Sequence, residues 1–96
     1  MNWNYENRRI YCADENGELL CETTFVRKED GELNIDHTYV NPNMRGQGLA
    51  GKMMAVVAEY LKKNGLKASA TCSYANTWLK RHEELYPEIL SQDMKD

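Results

Sequence analysis

The sequence lacks most of what would direct a chain to a membrane, a secretory route or a nucleic acid. No apolar run approaches the ~20 residues that a membrane-spanning helix needs. The start, Met1-Asn2-Trp3-Asn4-Tyr5-Glu6-Asn7, has no basic segment leading into an apolar stretch, so it does not read as a signal peptide. Basic residues are outnumbered, with 12 Lys and Arg against 15 Asp and Glu, and a net charge of −3 offers no basic face for nucleic-acid phosphates. Cysteine is sparse: Cys12, Cys21 and Cys72 are odd in number and form no C-x-x-C pair for zinc. With only His37 and His82 beside them, no metal-binding set is expected. Internal repeats and low-complexity segments are absent. These absences predict a cytoplasmic protein with reduced thiols and neither a membrane nor a nucleic acid as partner.

What is present fits one domain spanning residues 1–96, with ordinary fractions of hydrophobic (42%) and charged (28%) residues. Residues 8–13, 19–27 and 33–40 are rich in β-branched and aromatic types and read as strands. Asn16-Gly17 and Asp30-Gly31 stand between them and can adopt the positive φ of tight hairpins, so an antiparallel β-meander is expected. A two-residue Asn16-Gly17 loop would put Cys12 across from Cys21, where packed thiols are favoured over a disulfide. Residues 47–64 change period: Leu49, Met53, Val56, Val57, Tyr60 and Leu61 recur every three or four positions, the mark of an amphipathic helix. Asn64-Gly65 closes it. Residues 66–72 alternate again as a strand, so 33–72 form a right-handed βαβ unit with parallel strands. A second helix is expected over about 76–85, with Pro87 behind it and a frayed tail from Ser91 to Asp96.

The richest segment lies where the third strand meets the first helix: Val40-Asn41-Pro42-Asn43-Met44-Arg45-Gly46-Gln47-Gly48-Leu49-Ala50-Gly51-Lys52. Glycines let the backbone turn sharply and approach a ligand, and the first N–H groups of a helix have no internal partner. Such a helix start favours an anion, above all phosphate. A ligand-free glycine connector is the bland alternative. Three phosphate motifs overlap here. Gly46-x-Gly48-x-x-Gly51 satisfies the dinucleotide fingerprint, which also wants an acidic residue ~20 positions on; none occurs between Gly65 and Lys80. Gly46-x-x-x-x-Gly51-Lys52 resembles a P-loop, but Met53 stands where a hydroxyl must bind magnesium.

The third motif fits in order and length. Arg45-x-x-Gly48-x-Ala50 resembles the pyrophosphate loop of the GNAT acetyltransferase superfamily, Gln/Arg-x-x-Gly-x-Gly/Ala, which follows a meander and opens the main helix. Ile35-x-His37-Thr38-x-Val40-x-Pro42, the loop, Cys72-Ser73-Tyr74 and Arg81-His82 together resemble a compact GNAT-like family of about 90–100 residues over roughly positions 8–85. The departure is Glu83-Glu84-Leu85-Tyr86-Pro87, where the family has Pro-Glu-aromatic after the histidine. The resemblance implies an α+β, truncated GNAT-like fold and an acetyl-CoA-dependent N-acetyltransferase acting on an unidentified amine. It implies that coenzyme A lies on Val40, Arg45, Gly46, Gln47, Gly48, Leu49, Ala50, Gly51 and Lys52, with Cys72, Tyr74 and Asn76 along the pantetheine arm. A non-catalytic CoA-binding module using Cys72 is the alternative, and a phosphate-binding interaction domain is a third.

Acetyl transfer to an amine needs a base for the ammonium proton and a way to protonate the departing thiolate. His37 is the candidate base, since its ordinary pKa lies near neutrality. It alternates with Leu33, Ile35 and Tyr39, so a core imidazole is an equal reading, and Asp36 would then point to the opposite face. Cys72 is the candidate catalytic thiol, activated by His37 or forming a mixed disulfide with CoA; a small packed residue is its structural alternative. Asn76 also reads as a helix N-cap, Tyr86 as a minor candidate acid, and His82 as a packing or capping residue. Only seven residues precede the first predicted strand, so the acceptor side is expected to be open or completed by a partner, in a monomer or homodimer.

Overall fold

A computed structural model describes residues 1–94. Strands β1 (Asn4–Glu6), β2 (Arg9–Ala13), β3 (Leu19–Arg27), β4 (Leu33–Val40) and β5 (Ala68–Ala70) form one sheet in sequence order. The first four pair antiparallel, and β5 lies parallel to β4. Helix α1 (Leu49–Lys63) is the crossover between β4 and β5, and α2 (Ser73–Arg81) follows β5. This is the α+β arrangement read from the sequence: a meander, a βαβ unit and a C-terminal helix.

The helices pack together on one sheet face. Met54, Val57, Ala58 and Leu61 of α1 and Ala75 and Leu79 of α2 share a core cluster with Ile10, Phe25, Leu33 and Ile35. A second cluster, Cys12, Cys21, Leu49 and Met53, lies under the start of α1. Cys12 and Cys21 are directly opposite, as expected, and both are free and buried. The route to that register differs from a two-residue loop. Asp14 and Glu18 close a longer turn with Gly17 at φ 82°, and a register shift between Cys12 and Ala13 restores the alignment.

Several boundaries move. Strand β1 was not legible, because Asn4-Tyr5-Glu6 is short, polar and exposed. Its hairpin with β2 and the Tyr5 ring, stacked on Tyr60 of α1 at 5.6 Å, hold it in place. The strand expected over 66–72 pairs only at Ala68–Ala70, and α2 begins at Ser73 instead of 76. Cys72 is the extended N-cap of α2, so Asn76 lies inside the helix and is not its cap. At the other end the His82 N–H turns back to carbonyls of the last turn and stops the helix at Arg81. The tail is packed where fraying was expected. Ser91 and Met94 are buried, the Ser91 N–H donates to the Ala68 carbonyl at 2.9 Å, and Lys28 Nζ meets Asp93 at 2.9 Å. Residues 95–96 of the expected frayed tail lie outside the described residues.

A bulge in β4 decides which way the site faces. Phe25 pairs with Ile35 but Thr24 pairs with His37, so Asp36 is an extra residue. Thr38, opposite buried Thr23, and Val40, opposite buried Cys21, therefore fall on the helix face with Ile35. His37 falls on the other face and is exposed. The reading of His37 as a core imidazole beside Ile35 is thus corrected. Asp36 accepts from the Thr24 hydroxyl at 2.7 Å, and Thr24 pairs with His37, so Asp36 and His37 share the open face.

Candidate functional site

The loop between β4 and α1 is built to leave donors free. Asn41 opens a 3₁₀ turn at Pro42–Met44, its side chain accepting from the Asn43 N–H. Gly46 (φ 83°) and Gly48 (φ 71°) take left-handed conformations that a Cβ would strain, and Gly48 is the N-cap of α1. The first amide to turn inward is that of Lys52, which donates to the Gly48 carbonyl. Among the described residues no acceptor is bonded to the N–H groups of Gly46, Gln47, Gly48, Leu49, Ala50 or Gly51. All of these residues but Gln47 line a hollow of about 350 Å³, together with Val40, Met44, Arg45 and Tyr74. Unpaired amides at the positive end of a helix are a site for an anion.

Beyond this hollow β4 and β5 part. Their last paired residues are Ile35 and Ala70, and the Ile35 carbonyl accepts from both Thr71 and Cys72 N–H groups as the chain turns into α2. Cys72 stands in the gap with its sulfur 3.3 Å from the Thr38 hydroxyl. Burial alone would raise this thiol's pKa. Hydrogen bonds from the Thr38 hydroxyl and from the backbone of Ala75, Tyr74 and Thr38 outweigh it, so Cys72 ionises below the ordinary value. Cys21 is the contrast, pushed up to about 11 by burial and by its neighbour Cys12.

The structure gathers some expected residues and scatters others. Val40, Arg45, Gly46, Gly48, Leu49, Ala50, Gly51 and Tyr74 line the hollow, whereas Gln47 and Lys52 are exposed outside its lining. Asn76 turns inward, its amide donating to the Ala70 carbonyl and to the Met94 sulfur. His37 and Cys72 lie toward opposite sides of the sheet, and the side chain bonded to Cys72 is Thr38. Thr38, which stands in the Ile35-x-His37-Thr38 pattern, was not among the expected site residues, and its hydroxyl is the side-chain partner of the Cys72 sulfur. His82 is the packing residue expected: Nδ1 donates to the Trp78 carbonyl at 2.8 Å and the ring stacks on Trp78 at 3.9 Å. Tyr86 has its pKa raised by burial and by Glu59, beside Trp78. Among the described residues no His, Cys, Asp and Glu side chains cluster as a metal site, and no helix is long and apolar enough to cross a membrane.

Known proteins share this arrangement. Residues 9–89 match the family model of the GCN5-related N-acetyl-transferases. A GCN5-like protein from Staphylococcus aureus, a proposed N-acetyltransferase solved by NMR, is 30% identical over 94% of this chain and 87% of its own, with a TM-score of 0.74. Two larger acetyltransferases share the fold. Nourseothricin acetyltransferase is 16% identical over 76% of this chain and 46% of its own, at a TM-score of 0.54. A ribosomal-protein-alanine N-acetyltransferase from Brucella melitensis is 20% identical over 80% and 61%, at 0.50. With its meander, crossover helix and glycine loop matched along most of its length, the chain belongs to the GCN5-related N-acetyltransferase family.

Proposed function

We propose that the chain, acting as one domain over residues 1–96, is an acetyl-CoA-dependent N-acetyltransferase whose acceptor is an amine. One observation carries the reading: the free N–H groups from Gly46 to Gly51 around a hollow that leads, past Tyr74, to the parted ends of β4 and β5. A pyrophosphate fits those donors, and Arg45 adds a guanidinium at the rim. Acetyl-CoA would supply the activated acyl group as a thioester. The pantetheine arm fits the gap that holds Val40, Thr38 and Cys72.

The residues then have separate duties. On the open face His37 is placed to take the proton that an ammonium loses before its nitrogen attacks. On the helix side the Cys72 thiol, made more acidic by Thr38 and the start of α2, is placed to return a proton to the departing thiolate. Asp36 shares the face of His37 and offers the ammonium a carboxylate. A monomer or homodimer in a reducing cytoplasm, without nucleic acid, suits the free thiols and the acidic balance.

A second reading has its own observation: a low-pKa thiol at the gap also suits a module that engages the CoA thiol without transfer. Acetyl-CoA turnover against a panel of primary amines divides the two. Turnover that falls in His37→Ala and Cys72→Ala supports the transferase; CoA binding with no turnover on any amine supports the module. Activity untouched by both substitutions would remove these residues from the chemistry.

A further inference from the structure

Thr23 is fully buried in the middle of β3, and among the described residues its hydroxyl is the sole buried side-chain oxygen or nitrogen without a hydrogen-bond partner. Most of its surroundings on the helix face are apolar. Ile10 stands across from it on β2, and buried Cys21 and Phe25 flank it along β3. Valine has nearly the same shape and would avoid the roughly 1–3 kcal/mol that an unmet buried hydroxyl costs. A hydroxyl kept here against that cost points to a partner.

The remaining neighbour is Thr38, directly opposite on β4. The Asn41 N–H donates to the Leu20 carbonyl, which makes Leu20 and Asn41 a hydrogen-bonded pair of this antiparallel ladder. Bonded and non-bonded pairs alternate, and the register runs from there through Cys21–Val40 and Glu22–Tyr39 to Thr23–Thr38. Thr23 and Thr38 are therefore a closely spaced, non-bonded pair, with Cβ atoms about 4.5–5.5 Å apart. Threonine hydroxyls in such pairs reach one another, and a step between staggered χ1 wells aims the Thr23 O–H at Thr38 without moving the backbone.

On its other side Thr38 Oγ1 lies 3.3 Å from the Cys72 sulfur, and either atom can be the donor. The duty proposed for Cys72 decides the direction. When the thiol returns its proton, its S–H bond breaks, a new S–H bond forms on the departing thiolate, and the Cys72 sulfur is left able only to accept. Thr38 has a single hydroxyl hydrogen, so that hydrogen must point at the sulfur while the oxygen stays open to a donor. Thr23 is the donor with nothing else to bond. We propose that Thr23 is a positioning residue for Cys72: its buried O–H donates to Thr38 Oγ1 and so commits the Thr38 hydrogen to the sulfur. No proton passes along the two hydroxyls; they fix a direction, and each bond polarises the next. The use of this chain in acetyl transfer rests on the reading above, whereas the chain itself is tested without CoA.

Iodoacetamide alkylation at pH 7, followed by peptide mass spectrometry so that Cys72 is counted apart from Cys12 and Cys21, reads the sulfur directly. Thr23→Val should slow Cys72 about two- to fivefold, and Thr23→Ser, which keeps the hydroxyl, should stay within about 1.5-fold of the unmodified protein. In a Thr38→Val background Thr23→Val should add no further slowing, because Thr23 acts only through Thr38. An unchanged Cys72 rate in Thr23→Val, or equal slowing with and without the Thr38 hydroxyl, overturns the proposal and leaves the CoA reading standing. Should thermal unfolding show that Thr23→Val does not fold, Thr23→Ala replaces it, and equal Cys72 rates in Thr23→Ala and Thr23→Ser overturn the proposal. Amine turnover untouched by Cys72→Ala overturns the use of the chain in transfer, while the alkylation rates still decide the chain.

Discussion

Helices α1 and α2 each follow a strand of the sheet, neither has a side-chain cap bond, and neither carries an acidic residue in its first turn. They treat the positive end of the helix dipole in opposite ways. At α1 the cap is Gly48 and the neighbouring N–H groups have no internal acceptor. At α2 the cap is Cys72 itself, and the backbone of Ala75 and Tyr74 at the helix start helps to lower the pKa of its thiol. The same electrostatics thus serves two ends. One helix start is left open for an anion brought from outside, and the other lowers the pKa of a thiol already in the chain.

The largest expected effect comes from filling the open end with a charge. Asp tolerates left-handed backbone better than most residues, so Gly48→Asp should fold while placing a carboxylate among the free amides. Two like charges about 4 Å apart cost about 4 kcal/mol at a surface-like effective dielectric, so CoA affinity by calorimetry should fall by more than about 100-fold. Retained affinity would end the contrast between the two helices.

Next is the thiol. Alkylation of Cys72 followed against pH should show a midpoint below the ordinary 9.0, while Cys21 stays unreactive near neutrality. Thr38→Val removes one hydrogen bond to the sulfur and should move the midpoint upward, slowing alkylation at pH 7 about three- to tenfold. The sign for stability follows: the folded-state pKa is the lower one, so deprotonation favours folding. That contribution is complete above the ordinary value and lost as pH falls through the folded one.

Arg45→Ala sharpens the comparison further. Its exposed guanidinium at the hollow should add less than the amides, so affinity should fall about tenfold or less, with a loss that shrinks in high salt. The smallest effect is at Gly51, where an added Cβ meets nothing within 4 Å and the backbone is helical. Gly51→Ala should raise stability by up to about 1 kcal/mol in thermal unfolding, with CoA affinity within about twofold.

The two helix starts were unequally legible in the sequence. Glycine spacing announces the first, because few other residues adopt the φ of Gly46 and Gly48. The second hides behind a cysteine cap, which is no N-cap signal, and this is why the helix was expected three residues late and Asn76 was read as its cap. Periodicity gave the meander and crossover helix. It misplaced His37, because the Asp36 bulge depends on pairing with Thr24 and Phe25 across the sheet and reverses the alternation beyond Ile35. The tail escaped for a similar reason: Ser91 and Met94 are buried by contacts with β5 and Asn76, distant in sequence.

Amide NMR of the uniformly ¹⁵N-labelled chain, titrated with CoA, tests the central claim most directly. The backbone N–H signals of Gly46 to Gly51 should show the largest shifts of any contiguous segment, moving downfield as their free hydrogens meet the pyrophosphate. Signals in this loop that stay still while CoA binds elsewhere, or no shift anywhere at millimolar CoA, would contradict it.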